Sequence, residues 1–265
     1  MELEIVKQTG QEPRKNITLL FVPGLYQGAW AFADNLMPFF AARGFDVCAY
    51  SPRGHGASSG HEDAWKLHFD NFFEDLQTVA RSLRGPVVLV GHSMGGMLVE
   101  KYLENDSAFA AVLLCTPDGR DLRATRFTVL RRYFWPTLKF ALTGNPDYLY
   151  HDRESCRDLL FAGDRSSATD KALARIAAQD GSHSVMKELM KFSARPQRVT
   201  TPVLMISTET DLSLPPDSLR ARAAQKNYAL KMYPHGSHQI FMTSGWQSIA
   251  DDIDGWLAQT LSRAA

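Results

Sequence analysis

Three residue types that together transfer acyl groups occur in this chain in a usable order: a serine set among glycines, then an acid, then a histidine. Ser93 sits in Gly91-His92-Ser93-Met94-Gly95, directly after the apolar run Val87 to Val90. A serine hydroxyl is a weak nucleophile until a base takes its proton, and the base needs a third group to orient its ring. Serine at a strand-to-helix junction has another use, as an N-cap that accepts a backbone N–H and does no chemistry. The glycines favour the nucleophile. A serine at the top of a sharp turn adopts a strained backbone, and small residues on either side let strand and helix approach.

Two histidines follow the last strand patterns, His235 and His238, both in "YPHGSHQIF". His238 lies deeper in that loop, which Gly236 tightens and Ile240 and Phe241 anchor, so His238 is the expected base and His235 a solvated loop residue. The acid is expected just past a strand end. Asp211 in "MISTETDLSLPP" meets that condition ahead of Pro215-Pro216, which start the next helix. Glu209, nearer the strand, and Asp118, after "VLLCTP", are the rival acids. The spacing of His235 and His238 gives no metal site, because no HExxH motif or carboxylate cluster accompanies it. No cofactor is expected.

These residues need a scaffold that presents loop ends side by side. Leu3 to Lys7 reads as an edge strand, and "NITLLFVPG", "FDVCAYSPRGHG", "GPVVLVGHS" and "FAAVLLCTP" as buried strands. "WAFADNLMPFFAARG", "FDNFFEDLQTVARSL" and "MGGMLVEKYLEN" alternate with them at helical spacing. Near-continuous apolar strands alternating with helices predict a doubly wound, mostly parallel sheet covered on both faces. From Asp118 to Thr200 this alternation stops, and helical patterns run without a clear strand. "TPVLMIST" and "YALKMYP" then restore the sheet, and "GWQSIADDIDGWLAQTL" closes as an amphipathic helix. The expected organisation is a core of residues 1–117 and 201–265 with a helical cap, residues 118–200, over the strand ends where ligands bind in such sheets.

Composition narrows the function classes. Of 265 residues 45% are hydrophobic and 22% charged, as in ordinary globular proteins, so one large domain or a domain with an insertion fits. Lys+Arg and Asp+Glu both number 29, which leaves no net charge to draw a nucleic acid. Cys48, Cys115 and Cys156 have no paired spacing and read as buried thiols in a reducing compartment. "MELEIVKQTG" lacks the basic and apolar regions of a signal peptide, and no apolar run approaches the length of a membrane span. A cytoplasmic location is expected; the oligomeric state, monomer or homodimer, stays open.

Taken together, the motifs resemble the α/β-hydrolase fold superfamily over nearly the whole chain. "FVPGLYQGAW" matches the position of that family's His-Gly loop, "YSPRGHGASSG" its Arg-Gly-His-Gly turn, and "GHSMGG" its nucleophile elbow. "PVLMISTETDLSLPP" is similar to its acid loop and "YPHGSHQIF" to its histidine loop. Within the superfamily the chain most resembles the lysophospholipase and monoacylglycerol-lipase-like carboxylesterase branch, whose members carry a helical cap. The resemblance implies a triad of Ser93, Asp211 and His238, and an oxyanion hole from the backbone N–H groups of Leu25 and Met94. Three positions depart from the family pattern: Pro23 stands for the histidine that braces the oxyanion loop, Thr208 for a glycine in the acid loop, and Ser237 for a glycine beside the catalytic histidine. His55 and His92 read as structural residues braced under the site.

The expected activity is hydrolysis of a small-molecule carboxylic ester through an acyl-enzyme. The aromatic and apolar run from Tyr133 through Trp135 to Leu142 suggests an acyl pocket in the cap, with Tyr26, Tyr133 and Trp135 on the substrate. Medium-chain esters, thioesters or monoacyl lipids are the expected substrates. Because a fold does not fix a reaction, a lyase or acyltransferase on the same triad, a cofactor-independent oxygenase and a non-catalytic binding protein are the alternatives. Ser93 argues against the oxygenase.

Overall fold

The computed structural model describes residues 1–194 and 200–264; residues 195–199, inside the expected insertion, and residue 265 lie outside the described residues. The first part of the chain runs β1 (Ile5–Gln8), β2 (Thr18–Val22), α1 (Trp30–Ala33), α2 (Leu36–Ala42) and β3 (Asp46–Tyr50). A short 3-10 helix (His61–Lys66), α3 (Phe69–Ser82), β4 (Val87–His92), α4 (Met94–Tyr102) and β5 (Ala110–Leu114) follow. Between β5 and the next strand come α5 (Gly119–Arg132), α6 (Phe134–Thr143), α7 (Asp147–Tyr150), α8 (Arg153–Phe161), α9 (Ser167–Ala177) and α10 (Val185–Leu189). The sheet resumes with β6 (Val203–Thr208), α11 (Pro216–Lys226) and β7 (Ala229–Tyr233), and α12 (Trp246–Ala264) closes the chain.

The seven strands form one sheet in the order β1-β3-β2-β4-β5-β6-β7. Only β1 runs antiparallel, at the edge against β3, with Ile5 opposite Tyr50. The other pairs are parallel, and β4 lies between β2 and β5 with Leu89 opposite both Leu20 and Ala111. Every residue of β5 and β6 is buried although successive side chains point to opposite faces, so both faces are covered. This is the α/β-hydrolase fold.

One sequence expectation needs adjusting. "WAFADNLMPFFAARG" is not one helix but two, α1 and α2, broken at Asp34 and Asn35. Pro38 accounts for the break: with no N–H to give, it disrupts a helix interior but fits the first turn of α2, where amides are unpaired. Asn35 is then pinned by its side-chain N–H to the Phe241 carbonyl at 3.0 Å.

Two apolar clusters result. The larger surrounds the sheet, with Leu19, Phe21, Phe32, Phe40, Leu89 and Phe241 at its centre. The smaller joins Tyr26 to Tyr133, Leu149, Leu160, Phe161 and Ile176 of the α5–α10 stretch. All three cysteines are free and buried. Among the described residues no helix is long and apolar enough to cross a membrane.

Candidate active site

Ser93 links β4 to α4 with φ 52° and ψ −119°, a backbone that a non-glycine residue holds only under strain. Its amide donates to Leu114 O at 2.9 Å, which fixes the turn to the end of β5. The surrounding glycines are obligatory on steric grounds. A Cβ on Gly91 would lie 2.6 Å from Gly95 O, one on Gly95 2.1 Å from Val22 O, and one on Gly96 1.8 Å from Thr116 Oγ1. The serine stands at the N-cap position of α4, yet its side chain makes no capping bond. Its Oγ lies instead 2.9 Å from His238 Nε2.

His238 is held from its far side by Asp211, whose Oδ2 lies 2.7 Å from Nδ1. The side chain of Asp211 is fully buried, and its Oδ1 accepts the Ser213 amide at 2.8 Å. A carboxylate at Nδ1 keeps the proton on that nitrogen and leaves the Nε2 lone pair facing the serine hydroxyl. Ser93, His238 and Asp211 come from the ends of three different strands, 145 and 27 residues apart in sequence, and the parallel sheet brings those ends together.

The rival residues have other partners. Asp118 caps α5, its Oδ1 accepting the amides of Arg120 at 2.6 Å and Asp121 at 3.0 Å. Glu209 pairs with Arg220 at the surface, and His235 is exposed. Thr208, at a position where glycine was the family pattern, packs its methyl group where a Cβ on Gly236 would sit, at 2.6 Å.

The sequence reading missed a polar layer beneath the site. Gln27 Oε1 accepts the Gly24 amide at 2.9 Å and lies 2.9 Å from His92 Nδ1, while Gln27 Nε2 donates to Gln239 Oε1 at 2.7 Å. His92 Nε2 lies 3.0 Å from the backbone carbonyl of His238. Burial, and then the neighbouring His238, push the His92 pKa well below the usual histidine value, so its ring stays neutral. Gln27 thus holds the loop that lacks the bracing histidine replaced by Pro23. In that loop the Leu25 amide has no hydrogen-bond acceptor among the described residues, nor has the Met94 amide at the start of α4. Cys115 was read only as a buried thiol, but its sulfur, an Asp211 oxygen and a His238 nitrogen all lie within 4.8 Å of one another. Burial and Asp211 push the Cys115 thiol up, which favours its S–H form.

The three expected substrate residues are placed differently from one another. Tyr26 is buried, its hydroxyl donating to Asp147 Oδ1 at 2.6 Å. Tyr133 is buried in the smaller apolar cluster, its hydroxyl donating to Asp158 Oδ2 at 2.7 Å. Trp135 is 69% exposed and lines an outer hollow of about 640 Å³ with Pro136, Lys139, Tyr148 and Asp152. Of the α6 aromatics, Phe134 and Trp135 are exposed and Phe140 is half-buried.

Family comparison bears on this geometry directly. Residues 11–244 match the family described as serine aminopeptidase, S33. The chain belongs to that family. It is 25% identical over 236 residues to a monoacylglycerol lipase of Mycolicibacterium smegmatis, covering 84% of this chain and 81% of that protein. It is 27% identical over 247 residues to the bifunctional esterase/perhydrolase DCH of Acinetobacter calcoaceticus, covering 83% and 84%. The structure of a monoacylglycerol lipase from Paleococcus ferrophilus superposes with a TM-score of 0.70 at 20% identity, covering 98% of this chain and all of that one. The chain is therefore an α/β-hydrolase of the monoacylglycerol-lipase-like branch, a hydrolase of the esterase, lipase and peptidase type.

Proposed function

We propose that the protein is a serine carboxylic-ester hydrolase with Ser93 as nucleophile, His238 as base and Asp211 as the orienting acid. The observation that carries this reading is the unbroken hydrogen-bond chain from Ser93 Oγ through His238 to Asp211, at 2.9 and 2.7 Å, on a strained serine that caps nothing. His238 Nε2 takes the Ser93 proton as Oγ attacks the ester carbonyl. Asp211 keeps the ring in the tautomer that can accept, and stabilises the imidazolium that forms. The Leu25 and Met94 amides, both without acceptors, receive the oxyanion, where one such donor is worth about 10²–10³ in rate. His238 then protonates the leaving alcohol, and a water attacks the acyl-enzyme by the same route. No step calls for a cofactor.

The α5–α10 stretch acts as a cap over this centre. Half-buried Leu25, Leu212 and Met242 pack between the strand-end loops and the cap's apolar cluster, which supports an apolar acyl group there rather than against Trp135. Each methylene buried contributes about 0.8 kcal/mol, close to fourfold in specificity per carbon until the space is filled. A p-nitrophenyl ester series from acetate upward tests both parts. Turnover is expected to rise into medium chain lengths and to fall by about 10⁴ or more in Ser93→Ala, since triad members act as a unit. Activity highest on acetate removes the acyl site and keeps the triad; wild-type turnover in Ser93→Ala removes the triad. The description of the family favours a second reading, an aminopeptidase on the same residues. Faster cleavage of amino-acid p-nitroanilides than of any ester in the series decides for it.

A further inference from the structure

Tyr26 follows Leu25 directly, and its backbone is in the left-handed region, φ 62°, which a tyrosine holds only when its surroundings enforce it. Those surroundings belong to the helical stretch, not to the sheet. The ring is fully buried, 4.6 Å from the ring of Tyr150 and edge-on to His151. The hydroxyl donates to Asp147 Oδ1 at 2.6 Å, across 121 residues of sequence. The Gly181 amide donates to the same oxygen at 2.9 Å. Position 181 accepts only glycine here, because a Cβ would lie 1.9 Å from the Tyr26 hydroxyl. One carboxylate oxygen at the start of α7 therefore joins the loop after β2 to two separate parts of the α5–α10 stretch.

The same loop is held from below by Gln27, which accepts the Gly24 amide and faces His92. Between the lower tie at Gly24 and the upper tie at Tyr26 lies a single residue, Leu25, whose amide has no acceptor among the described residues. An amide fixed on both sides and left unpaired is a preorganised donor.

We propose that Asp147 is a positioning residue for the oxyanion site: through the Tyr26 hydroxyl it sets the direction of the Leu25 amide, so that only a seated helical stretch completes that site. This rests on the esterase reading above. Burial together with Asp147 pushes the Tyr26 phenol well above its usual pKa, which keeps it a hydrogen-bond donor. The link gives the helical stretch a role in turnover beyond covering the centre. A substrate that holds the stretch down also holds the amide in place, and unseating the stretch releases both.

The test compares Asp147→Ala, Asp147→Asn and Tyr26→Phe with the full-length wild-type chain, each checked for folding by its thermal transition. The readouts are kcat and KM on one p-nitrophenyl ester, the inhibition constant of an alkyl trifluoromethyl ketone, and labelling by a fluorophosphonate. The ketone forms a tetrahedral oxyanion on Ser93, so it reports the oxyanion site rather than ground-state binding. Asp147→Ala and Tyr26→Phe are expected to lose about 10- to 100-fold in kcat and a similar factor in ketone affinity, with KM within about threefold. Asp147→Asn keeps an oxygen for both donors and is expected to stay within about threefold of wild type. Tyr26→Phe removes one hydroxyl only, and decides the matter if Asp147→Ala does not fold. Unchanged kcat in Tyr26→Phe overturns the proposal, as does a rise in KM alone, or an Asp147→Asn as impaired as Asp147→Ala. A wild-type chain that neither takes the label nor turns over esters fails at the earlier reading and takes this proposal with it. Labelled, active wild type with indifferent variants rejects the positioning role alone.

Discussion

The strand ends and the helical stretch above them tolerate change very differently. At the strand ends the backbone itself is packed: a single methyl group on Gly95 would meet the carbonyl of Val22 at 2.1 Å. The helical stretch is mixed: a Cβ on Gly181 would lie 1.9 Å from the Tyr26 hydroxyl and one on Gly119 2.4 Å from Phe192 O, but one on Gly163 meets nothing within 4 Å, and α6 exposes Leu142 to 78% and Trp135 to 69%. The first region has one arrangement that its residues allow. The second is joined to the rest of the molecule through individual hydrogen bonds, among them Tyr26 to Asp147, the Gln239 amide to Leu160 O at 2.9 Å, the Gly56 amide to Gln179 Oε1 at 3.0 Å, the Phe69 amide to Glu188 Oε2 at 2.7 Å and the Ser184 hydroxyl to Leu67 O at 3.0 Å. The proposed triad sits at the crowded strand ends, and the proposed acyl site faces the other region.

The largest break in this contrast comes from the acid. Asp211→Asn is expected to keep the loop, because the Ser213 amide still finds an acceptor, but to unset the His238 tautomer and cost up to about 10⁴ in kcat. Asp118→Asn, which alters only a helix cap that asparagine also makes, is expected to leave kcat within about twofold. Steady-state kinetics on the two proteins side by side checks both, and a reversal would move the acid to the end of β5.

Sequence alone carried much of this region and little of the other, for physical reasons. The buried strands are near-continuous runs such as Val87 to Val90, and a sharp turn leaves glycines at fixed places, so β4, the elbow and Ser93 were legible together. Asp211 and His238 followed from where loops must start. Gln27 was not legible, because a polar residue in a loop gives no sign that it will meet Gly24, His92 and Gln239. Nor was the Tyr26–Asp147 bond, which depends on how the helices fold back. Aromatic spacing in "RRYFWPTLKFAL" indicated a helix but not which side anything would cover. In the structure Tyr133 is buried and Trp135 is exposed.

A glycine pair sharpens the comparison next. Gly95→Ala is expected to prevent soluble folding or lower the thermal midpoint by many degrees, since backbone on both sides blocks relief. Gly163→Ala, with φ 77° and open space, should cost only the left-handed strain, about 1 kcal/mol. Thermal unfolding of both variants distinguishes a crowded backbone from a merely strained one. Equal losses would mean that the tightness at the strand ends is not real.

Acid should loosen the molecule from the rigid side. His55 is buried, its Nδ1 3.1 Å from Arg53 O, and burial pushes its pKa down to about 4. An unfolded chain protonates this histidine near its ordinary 6.5, so between pH 6.5 and 4 the unfolded state binds a proton that the folded state refuses. The stability tied to the neutral ring is complete above about pH 6.5 and is lost as the pH falls toward 4, up to about 3 kcal/mol. His92, also displaced downward by burial, acts with the same sign. Urea midpoints should fall from pH 7.5 to 5, and fall less in His55→Gln. The smallest effect is expected at Trp135→Ala, within about twofold at every ester chain length, because the side chain is mostly solvated. A flattened chain-length profile in that variant would return Trp135 to the acyl site.

The most direct test of the central claim is covalent. Wild-type protein treated with an alkyl fluorophosphonate and digested for mass spectrometry should carry one phosphonyl adduct, on the peptide containing Ser93, formed in step with the loss of esterase activity. His238→Ala should slow its formation by orders of magnitude, because the base that activates the hydroxyl is gone. An unlabelled Ser93 in active protein, or an adduct on another serine that tracks the loss of activity, would contradict the account.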